Sequence, residues 1–216
     1  MTLSIDLFWS FRSPYSYLAT PRLVEMERRY DLAVNVRPVY PLAVRTAEFF
    51  DRVHPLWISY LMRDTYRLSQ MLDLPYRWPR PDPVKVDPAT RHALPGQPYI
   101  HRLTRLGCAA AEAGHGLAFL DEASRVIWSG AIDNWHEGDH LAKAAERAGL
   151  DLAALDAKVT NDPDKYEAII QDNQGAHEAA GHWGVPTMAF EGEPFFGQDR
   201  VDALLWRLKQ KGLQTR

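Results

Sequence analysis

The sequence predicts an α/β fold built from the two ends of the chain, with an all-helical block between them. Three observations carry this expectation. Residues 3–38 read as strand, helix, strand; from Pro41 to Asn161 helical periodicity dominates; residues 184–211 read as two short strands and a helix. A strand, a crossover helix and a second strand imply a parallel pair, because a tight hairpin joins only antiparallel neighbours.

Leu3 to Trp9 alternates and is rich in strand formers. Ser13 and Pro14 then form an N-cap and first-turn pair, since a serine hydroxyl accepts from a free first-turn N–H and proline lacks the N–H that would be orphaned there. Ala19, Leu23, Met26 and Tyr30 fall at i, i+4, i+7 and i+11, one face of the helix that follows. Pro21 removes a hydrogen bond inside that helix and is expected to kink it. Ala33 to Pro38 is the second strand.

Candidate helices in the middle block run from Pro55 to Leu72, Pro98 to Glu112, Gly116 to Ser129, Asp139 to Ala148 and Asp151 to Val159. The stretch RWPRPDPVKVDP is a proline-punctuated loop within this block rather than a linker. Pro163 to Gly181 is a further helix, GVPTMAFEGEPFFG gives two short strands around the Gly192 turn, and Asp199 to Lys211 closes as a helix. That order is the thioredoxin topology with a helical insertion: residues 1–40 and 162–216 form a discontinuous thioredoxin-like domain, and residues 41–161 an inserted helical domain.

Composition narrows the function. The 216 residues, 46% hydrophobic, suffice for a full core. A formal charge of −3 with interspersed signs offers no basic stripe for phosphates, so nucleic acid is excluded as a partner. No apolar segment approaches the roughly 18 residues of a membrane helix, and MTLSIDLFWS has neither a basic leader nor a cleavage site, so no membrane association and a cytoplasmic location are expected. The single cysteine, Cys108, is read as a packed helix residue; an internal disulfide is impossible, and any redox role needs an external thiol.

In Ser13-Pro14-Tyr15-Ser16, two hydroxyls occupy the places that two thiols would hold in a redox C-P-x-C motif. A helix N-terminus presents free N–H groups and partial positive charge, which favours a thiolate. Without an adjacent base Ser13 is a poor nucleophile, so its two readings are a plain cap and a hydrogen-bond donor to an external thiolate. HEGDH, His136 to His140, matches a zinc signature in letters, but Gly138 and Asp139 mark a helix start, and no metal site is expected.

Ser13-Pro14-Tyr15-Ser16, Pro21, Gly184-Val185-Pro186-Thr187 and Phe196-Gly197-Gln198-Asp199-Arg200 together resemble the thioredoxin-fold family that contains 2-hydroxychromene-2-carboxylate isomerases and kappa-class glutathione transferases, with bacterial disulfide oxidoreductases as wider relatives. The resemblance runs from about Leu7 to Leu208. It implies glutathione as cofactor, held by Ser13, a cis Val185-Pro186 loop, Gln198 and Asp199, with Ser13 catalytic. The implied activity is a glutathione-dependent isomerase acting by reversible thiolate addition to an aromatic or unsaturated carboxylate. A transferase or peroxidase, and a non-catalytic peptide-binding module, are the alternatives. Phe11, Arg12, Trp57, Tyr60 and Trp183, with Trp9, are the expected pocket walls for a small-molecule substrate, and Arg12 or Arg63 is the expected carboxylate anchor. Two positions depart from the family: Trp57 stands where relatives commonly carry a lysine that contacts glutathione, and Arg12 replaces a usually apolar residue. Arg45 is a second candidate for the missing charge. A homodimer is expected.

Overall fold

The first strand, β1 (Leu3–Trp9), organises the molecule, whose computed structural model describes residues 2–46, 48–90 and 92–216. It is followed by α1 (Pro14–Arg29) and β2 (Leu32–Pro38), and β1 pairs with β2 in parallel from Leu3 opposite Leu32 to Trp9 opposite Pro38. Late in the chain come β3 (Thr187–Phe190) and β4 (Glu193–Phe196). Antiparallel pairing of β1 with β3 and of β3 with β4 completes a sheet in the order β2-β1-β3-β4. This is the thioredoxin-like arrangement expected from the order of elements.

Ile5, Leu7 and Trp9 alternate with Phe8, yet all four are buried, so helices cover both faces of β1. Between the two halves of the sheet lie α2 (Leu42–Arg45), α3 (Phe49–Arg52), α4 (Leu56–Met71), α5 (Ile100–Glu112), α6 (Gly116–Trp128), α7 (His140–Arg147), α8 (Leu152–Asn161) and α9 (Pro163–Ala179). A 3-10 turn, Gln198–Arg200, leads into α10 (Val201–Gln210). Helices α5, α6 and α9 pack on β2, and α6 also packs on α1, so the buried side chains form one cluster that runs from the sheet into the inserted helices. Fully burying one such apolar side chain contributes about 1.5–3 kcal/mol.

Ser13 caps α1 as expected, accepting the Ser16 N–H at 3.1 Å, and the helix continues without interruption through Pro21. The short α2 and α3 precede the first candidate helix of the middle block and are not among those candidates, because single turns are too brief to show a period. HEGDH does not form one helix: Gly138 has φ +59° and α7 begins only at His140. Among the described residues no group of three or more His, Cys, Asp and Glu is placed to hold a metal ion, and no helix is long and apolar enough to cross a membrane.

Two buried tryptophans fix the segment leaving β1. Trp9 Nε1 donates to Thr20 Oγ1 on α1, and Trp128 Nε1 donates to the Phe11 carbonyl, both at 3.0 Å. With the Ser13 N–H bonded to the Ser10 carbonyl at 3.1 Å, the turn that delivers Ser13 is held from inside the core.

Candidate functional site

A cavity of about 580 Å³ opens where β1 ends. Its walls come from the start of α1, from α2 to α4, and from the C-terminal segment around Val185 and Gly197. Ser13 Oγ donates to the Val185 carbonyl at 3.2 Å while accepting from Ser16, which ties the helix N-terminus to a loop 172 positions away. The Val185-Pro186 peptide is cis, as the resemblance implied.

Local chemistry explains the shape of that loop. Thr187 Oγ1 donates to the Gly184 carbonyl at 2.6 Å, and the Gly197 N–H bonds the Pro186 carbonyl at 2.9 Å. Gly184 lies so close to the Phe196 ring that a Cβ there would overlap it, and Gly197 has φ +104°, which side chains other than hydrogen rarely adopt. The turn after Gly197 is held from α1, where Arg22 Nη1 donates to the Gln198 carbonyl at 3.1 Å and the same guanidinium pairs with Asp202.

One side of the cavity is aromatic. Phe49, Phe50 and Trp57 pack edge to face or tilted, Phe49 reaches Trp183 at a centroid distance of 5.5 Å, and Trp183 reaches Phe196 at 6.4 Å. The other side is polar. Tyr15 Oη donates to Asp64 Oδ2 at 2.9 Å, and Arg67 and Tyr60 donate to Oδ1 at 2.7 and 3.4 Å. Burial first, then the bond to Asp64, raises the Tyr15 phenol well above its usual range. Burial opposes the charge on Asp64, but the bonds from Arg67, Tyr15 and Tyr60 outweigh it and hold the carboxyl below its ordinary value. Tyr15 is therefore a neutral phenol and Asp64 a carboxylate at neutral pH.

Of the residues singled out in the sequence, Ser13, Val185, Gln198, Asp199, Arg12, Trp57, Tyr60 and Trp183 all line this cavity, and Pro186 supplies the cis bond beside it. Phe11 does not. It is fully buried between Trp9, Phe119 and Gly107, in the turn whose carbonyl Trp128 holds from the core. Trp9, also expected on the wall, is a fully buried core residue as well. Arg63 is exposed and lies off the cavity wall, one position before Asp64 on α4 and so turned to another face. Arg45 is not on the wall either; its guanidinium bonds the Trp183 carbonyl and so tethers the loop. Ser10, Tyr15, Phe49, Phe50 and Phe196 also line the cavity, and sequence reasoning did not single them out as pocket residues. Tyr15 had a signal, since it follows Pro14 within the motif; Phe49 and Phe50 had none beyond being adjacent aromatics.

The arrangement gathers a hydroxyl at a helix N-terminus, the backbone edge at Val185, a buried Gln198 in a glycine-opened turn and the Asp199 carboxylate around one cavity. A mixed four-stranded sheet with this site defines a class, and the family model for the DSBA-like thioredoxin domain matches residues 4–209: the chain belongs to that family.

More particular likenesses fall within it. Over 211 residues the chain is 28% identical to 2-hydroxychromene-2-carboxylate isomerase of Sphingobium xenophagum, covering 94% of this chain and 97% of that one. It is 22% identical over 217 residues to glutathione S-transferase kappa 1 of Rattus norvegicus, covering 96% and 91% respectively. The solved structure of a 2-hydroxychromene-2-carboxylate isomerase matches with a TM-score of 0.68 at 20% identity, over 96% of this chain and 95% of that one, a likeness of fold.

Proposed function

We propose that this protein is a glutathione-dependent isomerase, similar to 2-hydroxychromene-2-carboxylate isomerase, that acts on an aromatic or unsaturated carboxylate. One observation carries the reading: Ser13 Oγ stands at the N-terminus of α1 and reaches Val185 beside the cis proline, inside a cavity with an aromatic wall. The family and the names of the relatives support it. A homodimer in the cytoplasm belongs to the same reading.

Glutathione, when bound, supplies a thiolate that adds to a conjugated carbon and leaves again, so that a double bond rotates without net oxidation. The chain's own residues make that possible. Ser13 turns its O–H from the Val185 carbonyl toward sulfur and, with the positive end of α1, favours the ionised thiol. The Val185 carbonyl, released by Ser13, becomes an acceptor for a peptide N–H. Asp199 and Gln198 take the polar end of the tripeptide, and Phe49, Trp57, Trp183 and Phe196 cover the flat face of the substrate and keep water from it.

The test is turnover of 2-hydroxychromene-2-carboxylate, followed by absorbance with and without glutathione. Glutathione-dependent isomerisation is expected. Conjugation of an electrophilic chloroarene instead would make the protein a transferase, and glutathione binding without turnover of either compound would make it a binding module.

A further inference from the structure

Among the described residues that line the cavity, Arg12 is the only lysine or arginine. It precedes Ser13 directly, and its side chain is held in one orientation. Arg12 Nε and Nη2 donate to Asp82 Oδ1 and Oδ2 at 2.8 and 3.0 Å, a fork-to-fork pair across 70 positions of chain. Asp82 in turn accepts from Trp78 Nε1 at 3.1 Å and from the Val84 N–H at 2.8 Å. Four donors converge on a carboxylate with about four lone-pair sites, so Asp82 is saturated and cannot follow Arg12 elsewhere.

A guanidinium has five N–H groups in a fixed plane. Asp82 takes one side of that plane, and Nη1 has no partner among the described residues. The end-on edge, one N–H from each of Nη1 and Nη2, is left for a second carboxylate. The other charged side chains of the cavity, Asp64 and Asp199, are anions and are paired with Arg67 and Arg200.

We propose that the end-on edge of Arg12 is the subsite for the substrate's carboxylate, and that Asp82 is the positioning residue that aims it. This rests on the reading of the cavity as one for aromatic carboxylates. Because Asp82 cancels the charge of Arg12, the subsite selects by the direction of its N–H groups rather than by long-range attraction. The substrate's carboxylate is fixed on the side of the inserted segment, while Val185, Gln198 and Asp199 offer the C-terminal segment to the tripeptide. Glutathione itself carries carboxylates, and the test separates the two sources.

Two assays are used. The first is quenching of tryptophan fluorescence by 2-naphthoate and by its methyl ester, with Trp57 and Trp183 as cavity reporters; the second is glutathione-dependent turnover. Arg12→Ala should weaken 2-naphthoate binding about 10- to 100-fold, the loss expected for charge-assisted hydrogen bonds, while ester binding changes less than about 3-fold. Asp82→Asn should weaken 2-naphthoate binding and raise KM about 10-fold while ester binding changes less than about 3-fold, since the cation persists but its direction is lost; acid binding and KM within about 3-fold of wild type would overturn the positioning role of Asp82. Truncating Arg12 strands the Asp82 charge, so the double variant Arg12→Gln, Asp82→Asn is assayed beside it, and it should lose naphthoate binding with unchanged thermal unfolding.

Equal losses for acid and ester, or none for either, overturn the proposal. So does a loss confined to glutathione affinity and absent with glutathione amidated at its glycine end, which would give Arg12 to the tripeptide. A wild-type protein that binds naphthoate through Arg12 yet isomerises nothing would overturn the proposed reaction and uphold the subsite.

Discussion

Ser13→Ala removes one oxygen that has two partners in the folded chain, the Ser16 N–H at 3.1 Å and the Val185 carbonyl at 3.2 Å. Loss of the first removes an N-cap, with a cost of about 0.5–2 kcal/mol in stability. In the proposed function, the second bond is the one that would be exchanged for sulfur on glutathione binding. A hydrogen bond to a charged group contributes about 1.5–3 kcal/mol, and 1.36 kcal/mol corresponds to one pH unit, so the pKa of bound glutathione should rise by roughly one to two in the variant. The positive end of α1 remains, and the pKa should stay below that of the free thiol. Near neutral pH the thiolate fraction, and turnover with it, should fall several-fold, approaching about 10- to 100-fold only at a pH well below the wild-type pKa. Urea unfolding reads the cap, and ultraviolet absorbance of the thiolate, titrated with pH at saturating glutathione, reads the sulfur. Ser16→Ala is the control: its hydroxyl is fully buried, has no partner among the described residues and lies off the cavity wall, so neither quantity should move much. Superimposable titrations for wild type and Ser13→Ala, with glutathione demonstrably bound to both, would refute the role given to Ser13.

Stability should fall with acid through His177, which is fully buried and stacked on Phe8 at 4.6 Å. Burial first, and the Arg45 charge second, push its pKa from 6.5 down to about 4. Between those values the unfolded chain binds the proton and the folded one does not, so the contribution is complete above 6.5 and is lost as the pH drops toward 4. Allowing for solvent screening this amounts to roughly 2–3 kcal/mol, and His177→Phe should flatten the corresponding stretch of a urea-stability profile; an unchanged slope would assign it to another group. The purified protein should not catalyse insulin reduction, because its single cysteine, Cys108, is buried in α5 and its thiol is pushed up to about 12, chiefly by burial. Reduction that survives Cys108→Ala would show a thiol chemistry not carried by this chain's residues.

What the sequence revealed was local. The alternation of Leu3 to Trp9 and the Ser13-Pro14 cap specify their geometry within a few residues, and the structure places them as read; the cis bond of the GVPT loop came from the resemblance and not from its local sequence. Phe11 was not legible locally: it lies in the turn after a strand buried on both faces, so parity does not decide between core and cavity, and only its packing against Trp9, Phe119 and Gly107 does. Helical phase, by contrast, would have separated Arg63 from Asp64, since neighbours on a helix are turned by about 100°. Asp82 was beyond reach. It lies in RWPRPDPVKVDP, a segment without periodicity, and acquires meaning only through Arg12, Trp78 and Val84, which the fold gathers around it. The aromatic wall is similar: Phe49 and Phe50 sit on a single helical turn, and Trp183, the partner of Phe49, is far along the chain.

The place of β1 between an early and a late neighbour has a consequence during synthesis. Its parallel partner β2 follows within the same short unit, but its other edge stays open until Thr187 to Phe190 have been made. Until then Leu7 and Phe8 present unpaired backbone groups next to apolar side chains, the combination that invites pairing with another chain. Contacts of such separation also close slowly, because a long loop must be ordered before they form. The strand that ends this exposure begins immediately after the cis proline, two residues beyond the carbonyl that Ser13 grips. Sealing the sheet and joining Ser13 to the loop before β3 are thus one event, and a molecule that has assembled its cavity has by the same step covered the open edge of β1.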